Sequence, residues 1–232
     1  MTFSPYHAFA SNRKLELLVR TLRNGGMITP AVCENIDRYH PAIIHKLQSA
    51  RHHLSALADK TTEVDVQNLD IESFMFDVNL SIDGYFSSVG SALDILAREV
   101  LTYFGVPLPP KVYYHTAREK LTLARAGDPI LNRLNDPTWM QEFKDYRNTL
   151  THELILATDL NLRWTIGGTQ QAQSLTLPLP DDPRAAPGSR TFTTNADVVE
   201  YCKLNIRRIL RHVNCIYKDI LTRARATGSL PI

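Results

Sequence analysis

The chain has 232 residues, of which 44% are hydrophobic and 22% are charged, and its formal net charge at pH 7 is +2. These proportions are close to the average for folded globular proteins, and they exclude wholesale disorder, collagen and low-complexity filaments. The net charge is too small to indicate nucleic-acid binding by itself, although an acidic stretch over residues 61–100 separates two basic ends. The length suits one elaborated domain or two small ones, and we expect residues 1–232 to form a single helical domain.

Apolar residues at steps of three and four predict N-terminal helices over residues 12–58. Thr29 followed by Pro30 is typical of a helix start, with the threonine as N-cap and the proline in the first turn. Pro41 lies further along the same segment, where a proline either kinks a helix or starts a new one. The pattern leaves both possibilities open.

The core helices are predicted over residues 71–152. The strongest of them is predicted from about Ile71 to Phe104, where we expect an apolar stripe to be buried against other helices. That stripe consists of Phe74, Val78, Ile82, Tyr85, Val89, Leu93, Leu96 and Val100. A shorter helix follows over 112–126, and Asp136-Pro137 predicts the capped start of another that reaches about His152.

The pattern changes after residue 160. Alternating Trp164 and Ile166, then Leu175 and Leu177, predict a β-hairpin within 161–178. Residues 178–190 are rich in Pro, Asp, Ala and Gly, which predicts an exposed loop and an insertion spanning 161–192 in all. A C-terminal helix capped by Asn195 is predicted over 195–226, so the fold class is all-α with a small hairpin insertion.

The helix before residue 153 carries the candidate site. Its apolar stripe is Trp139, Phe143, Tyr146 and Leu150. At about 100° per residue, Asn148 and His152 point almost opposite this stripe, with Gln141 and Asp145, and Arg147 lies on the flank. This polar face predicts a cleft or a partner, and the helix dipole at the C-terminal end favours protonated His152.

Arg147, Asn148 and His152 resemble the signature of the HEPN family of helical-bundle proteins, which includes many ribonucleases. That signature is an Arg, usually followed by a polar residue, and a His after four to six intervening residues; here four residues intervene. The resemblance covers about 70–155 and the last helix, and it implies an antiparallel bundle. It departs from some members at Leu154, where they have a Tyr.

The resemblance implies metal-independent RNA cleavage, with no cofactor. His152 would transfer protons, Arg147 would stabilise charge on the phosphate oxygens, and Asn148 would orient His152 or the phosphate. In this family two protomers commonly bring their motifs together across a dimer interface, so the resemblance also implies a homodimer. The resemblance also suggests a toxin or defence setting, in which an antitoxin protein is a possible partner.

Several alternatives stay open at this stage. The pairs Arg38 with His45 and Arg207 with His212 also have HEPN-like spacing, but the first contains a proline and the second lacks the small polar residue. Asp77, Asp83 and Asp94 are candidates to pair with Arg147, and the sequence does not select among them. Leu154 and the low net charge favour a second function, a catalytically silent module that binds nucleotide, RNA or a protein partner.

The remaining motifs indicate structure more than chemistry. Cys33, Cys202 and Cys215 lack the spacing of a disulfide framework or a zinc site, and we expect them to be small buried hydrophobes. His45, His52 and His53 have no carboxylate or cysteine to complete a metal site, and we expect surface or partly buried histidines. Lys203, Arg207 and Arg211 form a basic stripe that suits phosphate binding or a solvated face equally well.

No membrane span or secretory signal is predicted, so we expect a cytoplasmic protein.

Overall fold

The computed structural model describes residues 10–62, 69–134, 138–153, 163–166 and 173–230. The chain is mainly α-helical with one small hairpin, as the sequence predicts. The elements in chain order are α1 (Ala10–Asn24), α2 (Pro30–Thr61), α3 (Ile71–Tyr103), α4 (Tyr114–Ala124), α5 (Ile130–Arg133), α6 (Thr138–Glu153), β1 (Arg163–Ile166), β2 (Gln173–Thr176), a 3₁₀ turn (Pro187–Ser189) and α7 (Val198–Thr227). No helix in these ranges is both long enough and apolar enough to cross a membrane.

The described residues form two compact helical units. The first takes its residues from 1–48, 91–136 and 207–232, and the second from 49–90 and 137–206. Helices α2, α3 and α7 therefore contribute to both units. The candidate site lies in the second.

The start of α2 confirms the predicted cap. The backbone N–H of Val32 donates to the Thr29 hydroxyl oxygen at 3.4 Å, and Pro30 is the first helical residue. The helix then continues through Pro41 without ending. The question that the sequence left open is thus answered in favour of one long helix.

Helix α3 confirms the predicted core stripe, because all eight of its apolar positions from Phe74 to Val100 are buried. Its N-terminus is capped by Asp70, whose carboxylate accepts the backbone N–H groups of Glu72 and Ser73 at 3.2 and 3.3 Å. These bonds satisfy donors that the first helical turn leaves without partners.

The predicted cap of the C-terminal helix is wrong by two residues. The cap is Asp197, which accepts the backbone N–H of Glu200 at 3.0 Å, and the helix runs over Val198–Thr227. Asn195 instead has a φ of +48°, a left-handed conformation that Asn tolerates better than most residues. Asp197 also accepts the Leu177 backbone N–H at 3.0 Å, which ties the helix start to the end of the hairpin.

The hairpin is confirmed, with β1 and β2 antiparallel and Trp164 opposite Leu175. The segment after it, predicted as an exposed loop, is exposed only in part. Leu179 is fully buried, and its backbone N–H donates to the Ala196 carbonyl at 2.7 Å. The Asp181 carboxylate accepts bonds from several threonines of 191–194, so internal hydrogen bonds hold the loop in place despite its turn-forming composition.

The burial of the cysteines and of the three grouped histidines largely agrees with the sequence predictions. Cys33 and Cys202 are buried free thiols as predicted, and Cys215 is half-buried. His45 and His52 are exposed, whereas His53 is half-buried. Among the described residues, no three His, Cys, Asp or Glu side chains are grouped closely enough to hold a metal ion.

Candidate functional site

The three candidate residues lie on helix α6, which ends at Glu153. Arg147 and Asn148 occupy its third turn, and His152 is in its final turn. The side chain of His152 lies outside the described residues. The backbone nevertheless places all three positions on one continuous helix, as the sequence predicts.

The apolar face of α6 sets the rotation of this helix. Phe143 and Tyr146 are buried, and the Phe143 ring stacks on Phe86 of α3 with 5.0 Å between ring centroids. Met140 is also fully buried, a core position that the predicted stripe does not include. Trp139 is half-buried, and the side chain of Leu150 lies outside the described residues.

The opposite face is polar and reaches solvent. Gln141 and Asn148 are exposed, as the helical phase predicts. The Gln141 amide donates to Asp145 at 3.0 Å, and the Asp145 carboxylate lies 3.8 Å from the Arg184 guanidinium. Asn148 is therefore accessible to a ligand from solvent.

Arg147 lies between the two faces and is half-buried. Its side chain crosses helix α3 at Gly90, so closely that an ideal Cβ built on Gly90 would be 2.9 Å from Arg147 Cδ and 2.5 Å from Cζ. Only glycine permits this approach, because contacts below 3.0 Å are essentially never seen for a real Cβ. Gly90 thus leaves the space on α3 that the Arg147 side chain occupies, and a larger residue there would displace the guanidinium.

Gly90 is a site residue that the sequence reasoning missed. A glycine in the interior of a helix costs about 1 kcal/mol relative to alanine, so its presence within the Ile71–Tyr103 helix was a signal for close packing. The signal did not identify the packing partner. That partner, Arg147, is 57 positions further along the chain.

The segment after the hairpin also supports α6. The Tyr146 hydroxyl donates to the Pro180 carbonyl at 2.5 Å, and the buried Thr149 hydroxyl donates to the Pro183 carbonyl at 2.8 Å. Burial raises the pKa of Tyr146 well above its usual value, so its hydroxyl remains a donor at neutral pH. The insertion therefore contacts α6 at Tyr146 and at Thr149, which precede and follow Arg147 in the sequence.

The predicted carboxylate candidates have different surroundings. Asp77 accepts a bond from Lys60 at 2.5 Å, Asp94 accepts the Tyr114 backbone N–H at 2.9 Å, and Asp83 is exposed. A pairing of Arg147 with one of these three carboxylates stays a prediction.

The two alternative Arg and His pairs lie in surroundings that differ from those of Arg147. Arg38 and His45 are both exposed on α2. Arg207 is exposed, and His212 is hydrogen-bonded to the Tyr114 hydroxyl, which gives it a structural partner. In the basic stripe, Lys203 pairs with Glu200 at 2.7 Å.

No protein-family profile, curated protein or solved structure gave a significant match.

Proposed function

We propose that this protein is a metal-independent endoribonuclease of the HEPN type, with Arg147, Asn148 and His152 as its catalytic residues. The observation that supports this most is the packing of Arg147 against Gly90. An arginine needed only for solubility does not require packing against a neighbouring helix, so this contact favours a role for the guanidinium. Preorganised donors of this kind stabilise charge that develops during a reaction.

The proposed reaction uses the RNA itself as the nucleophile. The ribose 2′-oxygen attacks the adjacent phosphorus, and the bond between phosphorus and the 5′-oxygen breaks. His152 transfers the protons, one from the 2′-hydroxyl and one to the departing 5′-oxygen. Arg147 makes paired hydrogen bonds to the non-bridging phosphate oxygens, and exposed Asn148 orients the phosphate or His152.

A homodimer belongs to this proposal. Two copies of α6 would bring their polar faces together, so that two His152 residues act at one RNA strand. The exposure of Gln141 and Asn148 supports this arrangement, because the polar face is left accessible while the opposite face is used by the core.

The test is cleavage of mixed RNA by purified protein in excess EDTA. His152→Ala and Arg147→Ala should each reduce the rate by about 10²-fold or more. The matched control is His45→Ala with Arg38→Ala, because these exposed residues have a similar spacing on another helix. Wild-type rates in all four variants would contradict the assignment of the site.

The second candidate function is a silent binding module, and Leu154 favours it, because some family members have a Tyr at that position. The same assay separates the two. RNA that binds to the wild-type protein without being cleaved, and binds more weakly to Arg147→Ala, would support the binding module.

A further inference from the structure

The first unit contains a buried carboxylate that the proposed nuclease reaction does not use. Glu99 of α3 is 0% exposed, and isolation of a carboxylate from water is costly unless several donors compensate it. Three side chains do so. The Tyr103 hydroxyl donates to Oε1 at 3.1 Å, the Tyr217 hydroxyl donates to Oε2 at 2.5 Å, and His40 Nδ1 lies 3.0 Å from Oε1.

These bonds determine the orientation of the histidine. Burial and the neighbouring Glu99 raise the pKa of Tyr217, so this hydroxyl stays protonated and donates. The contact with Glu99 occupies Nδ1 of His40. The second ring nitrogen, Nε2, has no hydrogen-bond partner within the described part of the chain.

His40 lines a cavity of about 540 Å³ in the same unit. This volume is in the range of small-molecule sites, about 300–1,000 Å³. Because Nδ1 is bonded to Glu99, Nε2 is the nitrogen that remains for a ligand. A carboxylate that fixes the tautomer and direction of a histidine is a common arrangement where that histidine binds something else.

The other walls of the cavity have mixed chemistry. They are formed by Arg20, Arg23, Asn24, Ile36, Asp37 and Pro41. Arg23 and Asp37 form a long ion pair of 3.5 Å in which both side chains are more than half exposed, so the pair is weak and can open for a ligand. The Arg23 guanidinium suits a phosphate, while a carboxylate and an amide suit hydroxyl groups.

We propose that this cavity is a second site, which binds a small phosphorylated sugar or polyol. The phosphate contacts Arg23, and the hydroxyl groups contact Asp37, Asn24 and Nε2 of His40. Glu99 is a positioning residue, since it acts only through His40. The proposal does not depend on the nuclease function, because none of these residues belongs to that site.

The experiment uses ribose 5-phosphate as the probe, with ribose and inorganic phosphate as comparisons, in a ³¹P and ¹H NMR titration of the full chain. We expect saturable binding of ribose 5-phosphate that is at least about tenfold tighter than binding of either comparison, since each lacks one set of charge-assisted or hydroxyl contacts. Equal affinity for inorganic phosphate would overturn the proposal, as would the absence of saturation at 10 mM, a concentration of about ten times a weak millimolar Kd.

A matched pair of variants distinguishes the cavity from general surface charge. Arg23→Gln should weaken binding by about tenfold or more. Arg133→Gln removes an arginine of the same unit whose side chain is 53% exposed, against 57% for Arg23, and which also pairs with an aspartate. It should leave binding unchanged, and an equal loss in both variants would overturn the proposal.

The ¹⁵N resonances of His40 provide a second measurement, because a histidine with a purely structural role would not respond to the ligand. In wild-type protein with ¹⁵N-labelled histidine, ribose 5-phosphate should shift the Nε2 resonance of His40 more than its Nδ1 resonance. The resonance is assigned by its disappearance in His40→Gln, and the titration itself needs only the wild-type fold. Binding without any change at His40 Nε2 would overturn the proposed site, because the histidine would then not contact the ligand.

Discussion

Replacement of Gly90 by alanine would add a methyl group where the Arg147 side chain now lies. Both residues belong to the second unit, and the added carbon would be 2.5 Å from Arg147 Cζ and 2.9 Å from Cδ. Ordinary carbon contacts are about 3.5–4.0 Å. The guanidinium must therefore move by about 1 Å.

The free-energy terms of this change nearly cancel. Alanine in the interior of a helix is about 0.8–1.0 kcal/mol more favourable than glycine. A side chain forced away from its preferred rotamer costs about 0.5–1.5 kcal/mol. We expect the free energy of unfolding, measured by urea denaturation, to change by less than about 1 kcal/mol.

The effect on cleavage should be much larger. A displacement of about 1 Å in a positioning group can cost about 10²-fold in rate. The matched control is Gly84→Ala on the same helix, where the added carbon would lie 2.5 Å from His53 Nδ1. That variant makes a similar clash with a residue outside the site, so its cleavage rate should stay within a few-fold of wild type.

Two results would refute this reasoning. If Gly90→Ala cleaves RNA like the wild type, the position of Arg147 does not matter to the reaction. If Gly84→Ala loses cleavage equally, the effect belongs to helix α3 as a whole. A double-mutant cycle adds an internal check: in Arg147→Ala, Gly90→Ala should stabilise the protein by about 1 kcal/mol, because the three atoms nearest to the added methyl group all belong to the Arg147 side chain that has been removed.

Three further predictions follow from the described contacts. Glu99→Ala should destabilise the protein by about 3–5 kcal/mol in urea denaturation, because it leaves Tyr103, Tyr217 and His40 without their buried partner; a change below about 1 kcal/mol would contradict the buried cluster. Hydrogen bonds from Thr194 and then Thr193 hold the pKa of Asp181 well below its usual value, so its contribution to stability is present above the ordinary Asp pKa of about 3.9 and is lost as the pH falls below it. The stability difference between wild type and Asp181→Asn should therefore shrink on acidification from pH 5 to pH 2, and a constant difference would show that the carboxylate charge is not involved. Light scattering should show a dimer at micromolar concentrations, and a monomer at high micromolar concentration would contradict the shared site.

The sequence was informative where structure depends on local patterns. The spacing of Phe74 to Val100 predicted a buried helix face, and the Thr29-Pro30 pair predicted a helix start, because both features reflect contacts within a few residues. The phase of α6 likewise predicted that Asn148 is exposed. The C-terminal cap was misplaced because Asn195 and Asp197 are both good caps, and only the left-handed backbone at Asn195 separates them.

The features that the sequence could not predict depend on contacts between residues that are far apart in the chain. Gly90 is informative only once Arg147 is known to cross it, and Glu99 meets His40 and Tyr217 across 59 and 118 positions of the chain. The loop after the hairpin has a turn-forming composition, but its proline carbonyls accept bonds from Tyr146 and Thr149. Backbone acceptors leave no mark in the residue pattern, so this support for the motif helix was not predictable.

The central claim is that Arg147 and His152 cleave RNA through the 2′-hydroxyl without a metal ion. The most direct measurement is the chemistry of the product ends, determined by mass spectrometry of a defined RNA incubated with the wild-type protein in excess EDTA. We predict a 2′,3′-cyclic phosphate or a 3′-phosphate on one fragment and a 5′-hydroxyl on the other, with neither formed by His152→Ala. Products with a 5′-phosphate and a 3′-hydroxyl, or cleavage that EDTA abolishes and Mg²⁺ restores, would contradict the claim, because they require an activated water in place of the ribose hydroxyl.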